Sequence, residues 1–245
     1  MSNGLKLKSA DDFEKLLKHV ADDLFQAKVH YTVFSEISRL AKTHHDEMDF
    51  APVFWRFTFN SHAEAALVRV FRVYDQHPSG FHLLRLLQTV ERSDWLFSKA
   101  AFLDRLKNND EAENLYQGIP DKKQLDADIS FVSEANPRIK TLKKWRDEII
   151  FHKDPRHLLS DGSFASKNPL PYAEIASLIE EGARLVNRYS SYFNAVHFGN
   201  DTNGKGWKDV EFIFEALTHH PYIIEFRKDE ELRNVSGDDV RPSRQ

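Results

Sequence analysis

Apolar residues recur at helical spacing along most of the chain. No glycine or proline interrupts residues 10–42, and apolar side chains there fall three or four positions apart. They are Phe13, Leu16, Leu17, Val20, Leu24, Phe25, Ala27 and Val29. The preceding Ser9-Ala10-Asp11-Asp12 has the character of a helix N-cap. This stretch therefore predicts one long helix or two consecutive helices.

The same periodicity predicts helices over about residues 53–74, 81–90, 95–107, 121–135, 137–154, 172–198 and 207–219. Turn signals such as Pro78-Ser79-Gly80 separate them. Residues 221–226 are ambiguous between strand and loop. The chain has only nine glycines and nine prolines, clustered between the helical patterns, which is typical of an all-α fold.

We expect one helical domain over residues 1–226 and a polar, disordered tail over residues 227–245, since the tail is almost wholly polar and charged. A content of 41% hydrophobic and 29% charged residues is typical of a soluble globular protein. No signal-peptide pattern begins the chain, and no apolar run approaches the roughly 20 residues that span a bilayer. With no cysteine, disulfides and cysteine-ligated zinc are excluded. A cytoplasmic protein without membrane association is expected.

Residues with catalytic potential lie close together in the sequence at residues 145–154, which include Arg146 and His152. A histidine titrates near neutral pH, and an arginine presents a forked positive charge that suits phosphate oxygens. Together they indicate phosphodiester chemistry without a metal. The alternative is a surface salt bridge beside a half-buried imidazole.

A local basic patch surrounds this pair, although the net charge of the chain is -4. Its members are Arg138, Lys140, Lys143, Lys144, Arg146, Lys153 and Arg156. The negative net charge argues against a protein that coats nucleic acid with its whole surface, but it is compatible with RNA binding at a local basic patch. The alternative interpretation is a solvated helix face.

Helical geometry sets a condition on the pair. Arg146 and His152 are six positions apart, so on an ideal helix they point about 120° away from each other. His152 shares a stripe with Leu142, Trp145 and Ile149, which favours an imidazole at the edge of the core. Arg146 and His152 converge only where the helix is distorted or a second copy packs against it, so we expect a homodimer.

Other candidates are weaker. The His44-His45-Asp46-Glu47 and His219-His220 segments lack paired metal-ligand spacing and are interpreted as solvated helix ends, so no metal is predicted. His82 is isolated and is interpreted as structural or exposed. Asp75 is expected to cap a helix or to pair with an arginine.

Arg146, five intervening residues and His152, followed by Lys153-Asp154, resemble the arginine–histidine motif of the HEPN superfamily. The flanking sequence is similar to its AbiU-type abortive-infection branch. Residues 62–75, which end in Asp75, and residues 81–87 resemble the early helices of that branch. The similarity covers roughly residues 11–220.

The resemblance implies an all-α, up-and-down helical bundle with additional peripheral helices, often dimeric, whose active members cut RNA without metal or cofactor as toxins or phage-defence effectors. It implies that Arg146 holds the scissile phosphate, His152 acts as general acid or base, and Asp147 orients Arg146 or a water. The lysines and arginine expected to bind RNA are Lys143, Lys144, Lys153 and Arg156.

The implied partners are substrate RNA, a second copy of the chain and a protein antitoxin. Phe151 departs from the branch, whose members often carry a small residue before the histidine, and its ring is expected either to narrow the cleft or to mark the loss of catalysis. The alternative function is a non-catalytic HEPN-fold protein for interaction or dimerisation.

Overall fold

The computed structural model describes residues 5–147, 168–199, 206–225 and 227–228. The chain divides into two compact units. The first contains Met1–Lys28 and Ala65–Asn200, and the second contains Val29–Glu64 and Asp201–Gln245. The described residues form α-helices, one 3-10 helix and no strand, so the all-α prediction is confirmed.

The glycine- and proline-free start of the chain is one continuous helix, α1 (Ala10–Leu40). It is followed along the chain by α2 (His45–Phe50), α3 (Pro52–Tyr74), α4 (Leu83–Glu91), the 3-10 helix (Asp94–Phe97), α5 (Lys99–Arg105), α6 (Ala112–Leu115), α7 (Lys122–Val132), α8 (Pro137–Trp145), α9 (Tyr172–Asn194) and α10 (Gly206–Thr218).

Residues 221–225 form a helical turn, so the expectation of a strand or loop there is wrong. The carbonyl of His220 accepts the N–H groups of Ile223 at 3.0 Å and Ile224 at 3.1 Å. Pro221 stands at the first position of this turn, where its fixed φ suits a helix and its missing N–H costs nothing.

Helix α9 runs through the core of the first unit and buries side chains along its whole length. Near its end, Phe193 packs edge-on against Phe13 of α1, with ring centroids 5.0 Å apart. Near its middle, the Tyr74 hydroxyl at the end of α3 donates to the carbonyl of Leu178 at 2.7 Å. Helices α1 and α3 are therefore both packed on α9.

The second unit has its own apolar core, made of Ile37, Leu40, Trp55, Val210 and Phe214. The rings of Trp55 on α3 and Phe214 on α10 stack with centroids 4.6 Å apart. The Trp55 indole N–H donates to the carbonyl of Glu47 at 3.0 Å. These contacts join α2, α3 and α10 within the unit.

Arg227, the first residue of the predicted tail, forms ion pairs with Asp46 and Glu47, each at 2.6 Å. The prediction of disorder for residues 229–245 lies outside the described residues. Across the parts of the chain that the structure describes, no helix is both long enough and apolar enough to cross a membrane.

At Gly182, side chains of α1 and α3 come close to the backbone of α9. A Cβ at this position would lie 2.8 Å from Leu24 Cδ2 and 3.0 Å from the Tyr74 hydroxyl. We expect Gly182→Ala to lower the free energy of unfolding by about 1–3 kcal/mol, because a methyl overpacks this contact. In the interior of an unhindered helix, by contrast, a change from glycine to alanine raises the free energy of unfolding by roughly 0.5–1 kcal/mol.

Urea unfolding of the purified protein measures this effect. Leu24→Ala removes the nearest of the atoms that the methyl meets and leaves the Tyr74 hydroxyl, so it provides the matched background. In that background Gly182→Ala should cost less than it does alone, and equal costs in both backgrounds would contradict the proposed contact.

Candidate functional site

Helix α8 carries the candidate arginine at its C-terminal end. The Asn136 side chain accepts the Arg138 N–H at 3.0 Å, and Pro137 occupies the first turn, so the helix begins with a capped N-terminus. Ile139 and Leu142 are buried. After Trp145 the backbone of Arg146 and Asp147 widens into a π turn. Such turns occur frequently at functional sites, and here the distortion starts at the predicted catalytic residue.

The Arg146 guanidinium contacts two carboxylates. Its terminal nitrogen Nη1 forms an ion pair with Asp75 Oδ1. Its Nε donates to Asp147 Oδ1 at 2.7 Å, and Nη2 lies 2.5 Å from the same oxygen. The Arg146 side chain is 18% exposed. Two carboxylates thus hold the guanidinium, and the Arg146 side chain as a whole is partly exposed.

Asp75 follows directly on the last residue of α3. Its backbone N–H donates to the carbonyl of Phe71 at 2.7 Å, and its Oδ1 accepts the N–H of His77 at 3.0 Å. Of the two roles expected for Asp75, the pairing with an arginine is confirmed. Its partner lies 71 positions along the chain, which no local pattern identifies.

Both residues line a pocket between the end of α3 and the helix α8. The other lining residues are Phe71, Tyr74, Gln76, Glu134, Ile139, Leu142 and Lys143. Its walls combine apolar and charged side chains, and its cavity of about 10 Å³ has room for roughly one water molecule.

The remaining predicted site residues fall into two groups. Lys143 pairs with Glu134 at 2.6 Å, and Lys144 donates to Asn168 Oδ1 at 3.3 Å, both at the surface. His152, Lys153 and Arg156 lie outside the described residues, and so does any approach of His152 to Arg146.

Arg138, at the start of the basic patch, holds α8 on α9. It forms an ion pair with Glu174, donates to Glu181 at 3.0 Å and to the Ser177 hydroxyl at 2.8 Å. These charges raise the pKa of Arg138 against the effect of its burial. This arginine is therefore engaged inside the protein and is a structural member of the patch.

His82 lies close to this site, and the sequence did not predict its position there. It is 5% exposed, and its Nδ1 accepts the N–H of Arg85 at 3.2 Å, capping α4. Burial lowers its pKa to about 4, although the nearby charge of Asp75 acts in the opposite direction. Its position immediately before an amphipathic helix was the available signal for a capping role.

The two acidic residues considered as metal ligands, Asp46 and Glu47, instead pair with Arg227. Within residues 5–147, 168–199 and 206–228, apart from Phe226, no three His, Asp or Glu side chains lie close enough together to hold a metal ion.

These features describe an all-helical protein in which an arginine at the C-terminal end of a helix is paired with two aspartates. The family model described as AbiU2 matches residues 10–207, and the chain belongs to this abortive-infection family of HEPN proteins. No curated protein and no solved structure gives a significant match.

His82 provides a test of the surroundings of the site. Since its folded pKa of about 4 lies below the ordinary value of 6.5, the unfolded chain takes up a proton first as the pH falls. The stabilisation is thus present above pH 6.5 and is lost as the pH falls towards 4. We expect a loss of about 3 kcal/mol across this window, and His82→Asn should not show it.

The measurement is urea unfolding of both proteins at several pH values, and the result is their difference. Asparagine keeps a side-chain oxygen able to cap α4, so the variant should fold. The exposed His45→Asn serves as control. Parallel stability curves for the parent protein and His82→Asn would contradict a buried, neutral His82.

Proposed function

We propose that this protein is a metal-independent endoribonuclease that acts as a toxin, or abortive-infection effector, in phage defence. The observation that carries the proposal is the fixed, partly exposed guanidinium of Arg146, held by Asp75 and Asp147 beside a pocket. Membership of the AbiU2 family supports it. RNA is the proposed substrate, and a second copy and a protein antitoxin are the proposed partners.

Arg146 acts as the phosphate-binding group in this proposal. A guanidinium has five N–H donors. Within the described part of the chain, the contacts to Asp75 and Asp147 engage Nε and one hydrogen on each terminal nitrogen. One N–H on each terminal nitrogen then remains to bind two phosphate oxygens, the bidentate arrangement that arginine favours. The positive charge stabilises the negative charge that develops on the phosphate.

Asp147 acts by orientation. Its single oxygen bridges Nε and Nη2, which prevents rotation of the guanidinium plane. Asp75 fixes the third nitrogen from α3. A group held in this way loses little freedom when substrate binds, and pre-organised charge is the most effective kind in a catalytic site.

His152 is the proposed general acid or base, accepting the proton of the attacking 2'-hydroxyl or donating one to the departing 5'-oxygen. No metal or cofactor takes part. Because six residues separate it from Arg146, the proposal places a second copy of the chain at the site, so that two helix ends share one cleft.

One observation favours a second function, a non-catalytic HEPN-fold protein for interaction or dimerisation. Two carboxylates face the single charge of Arg146, so the local balance is negative and repels phosphate. Two further cations of the patch, Arg138 and Lys143, are paired with glutamates. A binding module would use only the surface of this region and would not need an arginine that can bind phosphate.

RNA cleavage in EDTA separates the two functions. We expect purified protein to cut total RNA, and Arg146→Ala and His152→Ala each to reduce the rate at least about 100-fold, because each removes a group that acts only on the transition state. Lys123→Ala, an exposed charge on α7, is the matched control and should cut at the parent rate. Circular dichroism checks that each variant folds.

Absence of cutting by the parent protein, or cutting that survives either site substitution, would contradict the catalytic proposal. Growth arrest on expression, relieved by the same two substitutions, is the corresponding test in cells.

Asp147 allows orientation to be separated from charge. Asp147→Asn keeps an oxygen that accepts from Arg146 and removes one negative charge, so RNA affinity in the His152→Ala background should rise. Asp147→Ala removes the acceptor, so cleavage by the otherwise intact protein should fall at least about tenfold. Filter binding and single-turnover cleavage measure the two effects. Cleavage by Asp147→Ala at the parent rate would contradict the orienting role.

A further inference from the structure

A buried carboxylate in the first unit faces two arginines and a histidine. Asp23 of α1 is 3% exposed. Its Oδ1 accepts the Arg69 Nη1–H at 2.7 Å and lies 3.2 Å from Arg72 Nη1, both from α3. Its Oδ2 lies 3.9 Å from Nε2 of His19, one turn earlier on α1. We call Asp23, Arg69 and Arg72 the arginine cluster.

The stability of the fold accounts for only one of these arginines. A buried carboxylate is costly unless an opposite charge compensates it, and one guanidinium can do so. Arg69 makes the shorter contact, and 31% of its side chain is exposed against 47% for Arg72. Two guanidinium charges facing one carboxylate leave a positive excess, which the burial of Asp23 does not require.

The excess charge reaches solvent. A guanidinium carries five N–H donors. Among the residues that the structure describes, Asp23 is the one charged or hydrogen-bonding partner of Arg69 and of Arg72. The neighbouring carboxylate of Asp22 lines a groove between α1 and α9 and forms no ion pair with either arginine in the described part of the chain. Most donors of the two arginines can therefore bind a ligand.

The arginine cluster adjoins the candidate site along α3. Arg69, Arg72 and Asp75 follow one another at intervals of three residues, so they form one row on the helix surface. Helical geometry continues to Asp75, whose N–H donates to the carbonyl of Phe71. On a helix, Cβ atoms three positions apart are about 5–6 Å from each other. Because Asp75 pairs with Arg146, the row leads from the cluster to the guanidinium proposed to bind the scissile phosphate.

We propose that the arginine cluster is a second phosphate-binding site, which holds the RNA backbone next to the scissile phosphate. Neighbouring guanidinium groups suit phosphate oxygens, and contacts to the backbone supply a large share of the affinity for nucleic acids. Two carboxylates make the surroundings of Arg146 negative, whereas at the cluster two arginines share one carboxylate. The cluster thus attracts the strand that Arg146 alone would hold weakly.

The choice of RNA as the ligand rests on the proposed function, but the test measures binding and not cleavage. The His152→Ala protein, which should not cut its ligand, is titrated with single-stranded oligouridine in EDTA at several salt concentrations, and filter binding gives the affinity. Adding Arg72→Gln should weaken binding about fivefold at low salt and reduce the slope of log affinity against log salt by about 0.7, because one phosphate contact is lost.

Arg69 still compensates Asp23 in the Arg72→Gln variant, so this variant should fold, which circular dichroism checks. The matched control is Arg56→Gln, which removes another exposed arginine of α3 and should bind oligouridine as the His152→Ala protein does.

Asp23→Asn is the second variant, and its expected effect has the opposite sign. It removes the charge that the two arginines share and keeps an oxygen that accepts from Arg69, so binding should strengthen at least about threefold. If the cluster only stabilised the fold, loss of either partner would weaken binding or leave it unchanged. Opposite effects of Arg72→Gln and Asp23→Asn therefore distinguish a phosphate site from a structural ion pair.

Three results would overturn the proposal: no oligouridine binding by the His152→Ala protein at low salt, equal binding after Arg72→Gln, or no gain from a folded Asp23→Asn variant. Cleavage is judged separately. Binding that depends on Arg72 in a protein that does not cut RNA would retain this site and contradict the catalytic proposal. Cutting that depends on Arg146 and His152, with binding indifferent to Arg72, would do the reverse.

Discussion

The packing of α9 in the core of the first unit is the constraint on which the site depends. This helix buries apolar side chains throughout its length, so the elements around it are held where they fit its surface. Specific polar contacts then determine where each neighbouring helix sits along α9. Tyr189 and Arg188 of α9 both reach Asp128 of α7, and Arg105 of α5 donates to the carbonyl of Phe193 at 2.9 Å. A buried helix with such specific partners leaves its neighbours little freedom to slide.

Two further contacts with α9 bring the residues of the candidate site together. Tyr74 donates to the backbone of α9, which fixes the end of α3 and the next residue, Asp75. Arg138 is bound by glutamates of α9, which fixes the start of α8. From there α8 runs to Arg146, whose guanidinium meets Asp75. The ion pair is thus a consequence of two helices docked on a third, and it orients the group proposed to bind phosphate.

A structural feature could be predicted from the sequence when it depends on residues only a few positions apart. Most helices were predicted because apolar periodicity and capping residues act over a few positions, as at Asn136-Pro137. The short helices α2 and α6 and the turn after Pro221 were not, since none is long enough to show a period. Arg146 and Asp147 were selected by motif and lie side by side. The pairing of Asp75 with Arg146, and the burial of His82, arise from tertiary packing that no local pattern contains.

Helix docking holds Arg146 against Asp75, and a double-mutant cycle tests this dependence most directly. Asp75→Ala, Arg146→Ala and the double variant are compared with the parent protein by urea unfolding. A half-buried pair fixed in this way should show a coupling energy of about 1 kcal/mol, above the few tenths typical of exposed pairs. A coupling energy indistinguishable from zero, with both single variants folded, would contradict a pair held in place by the docked helices.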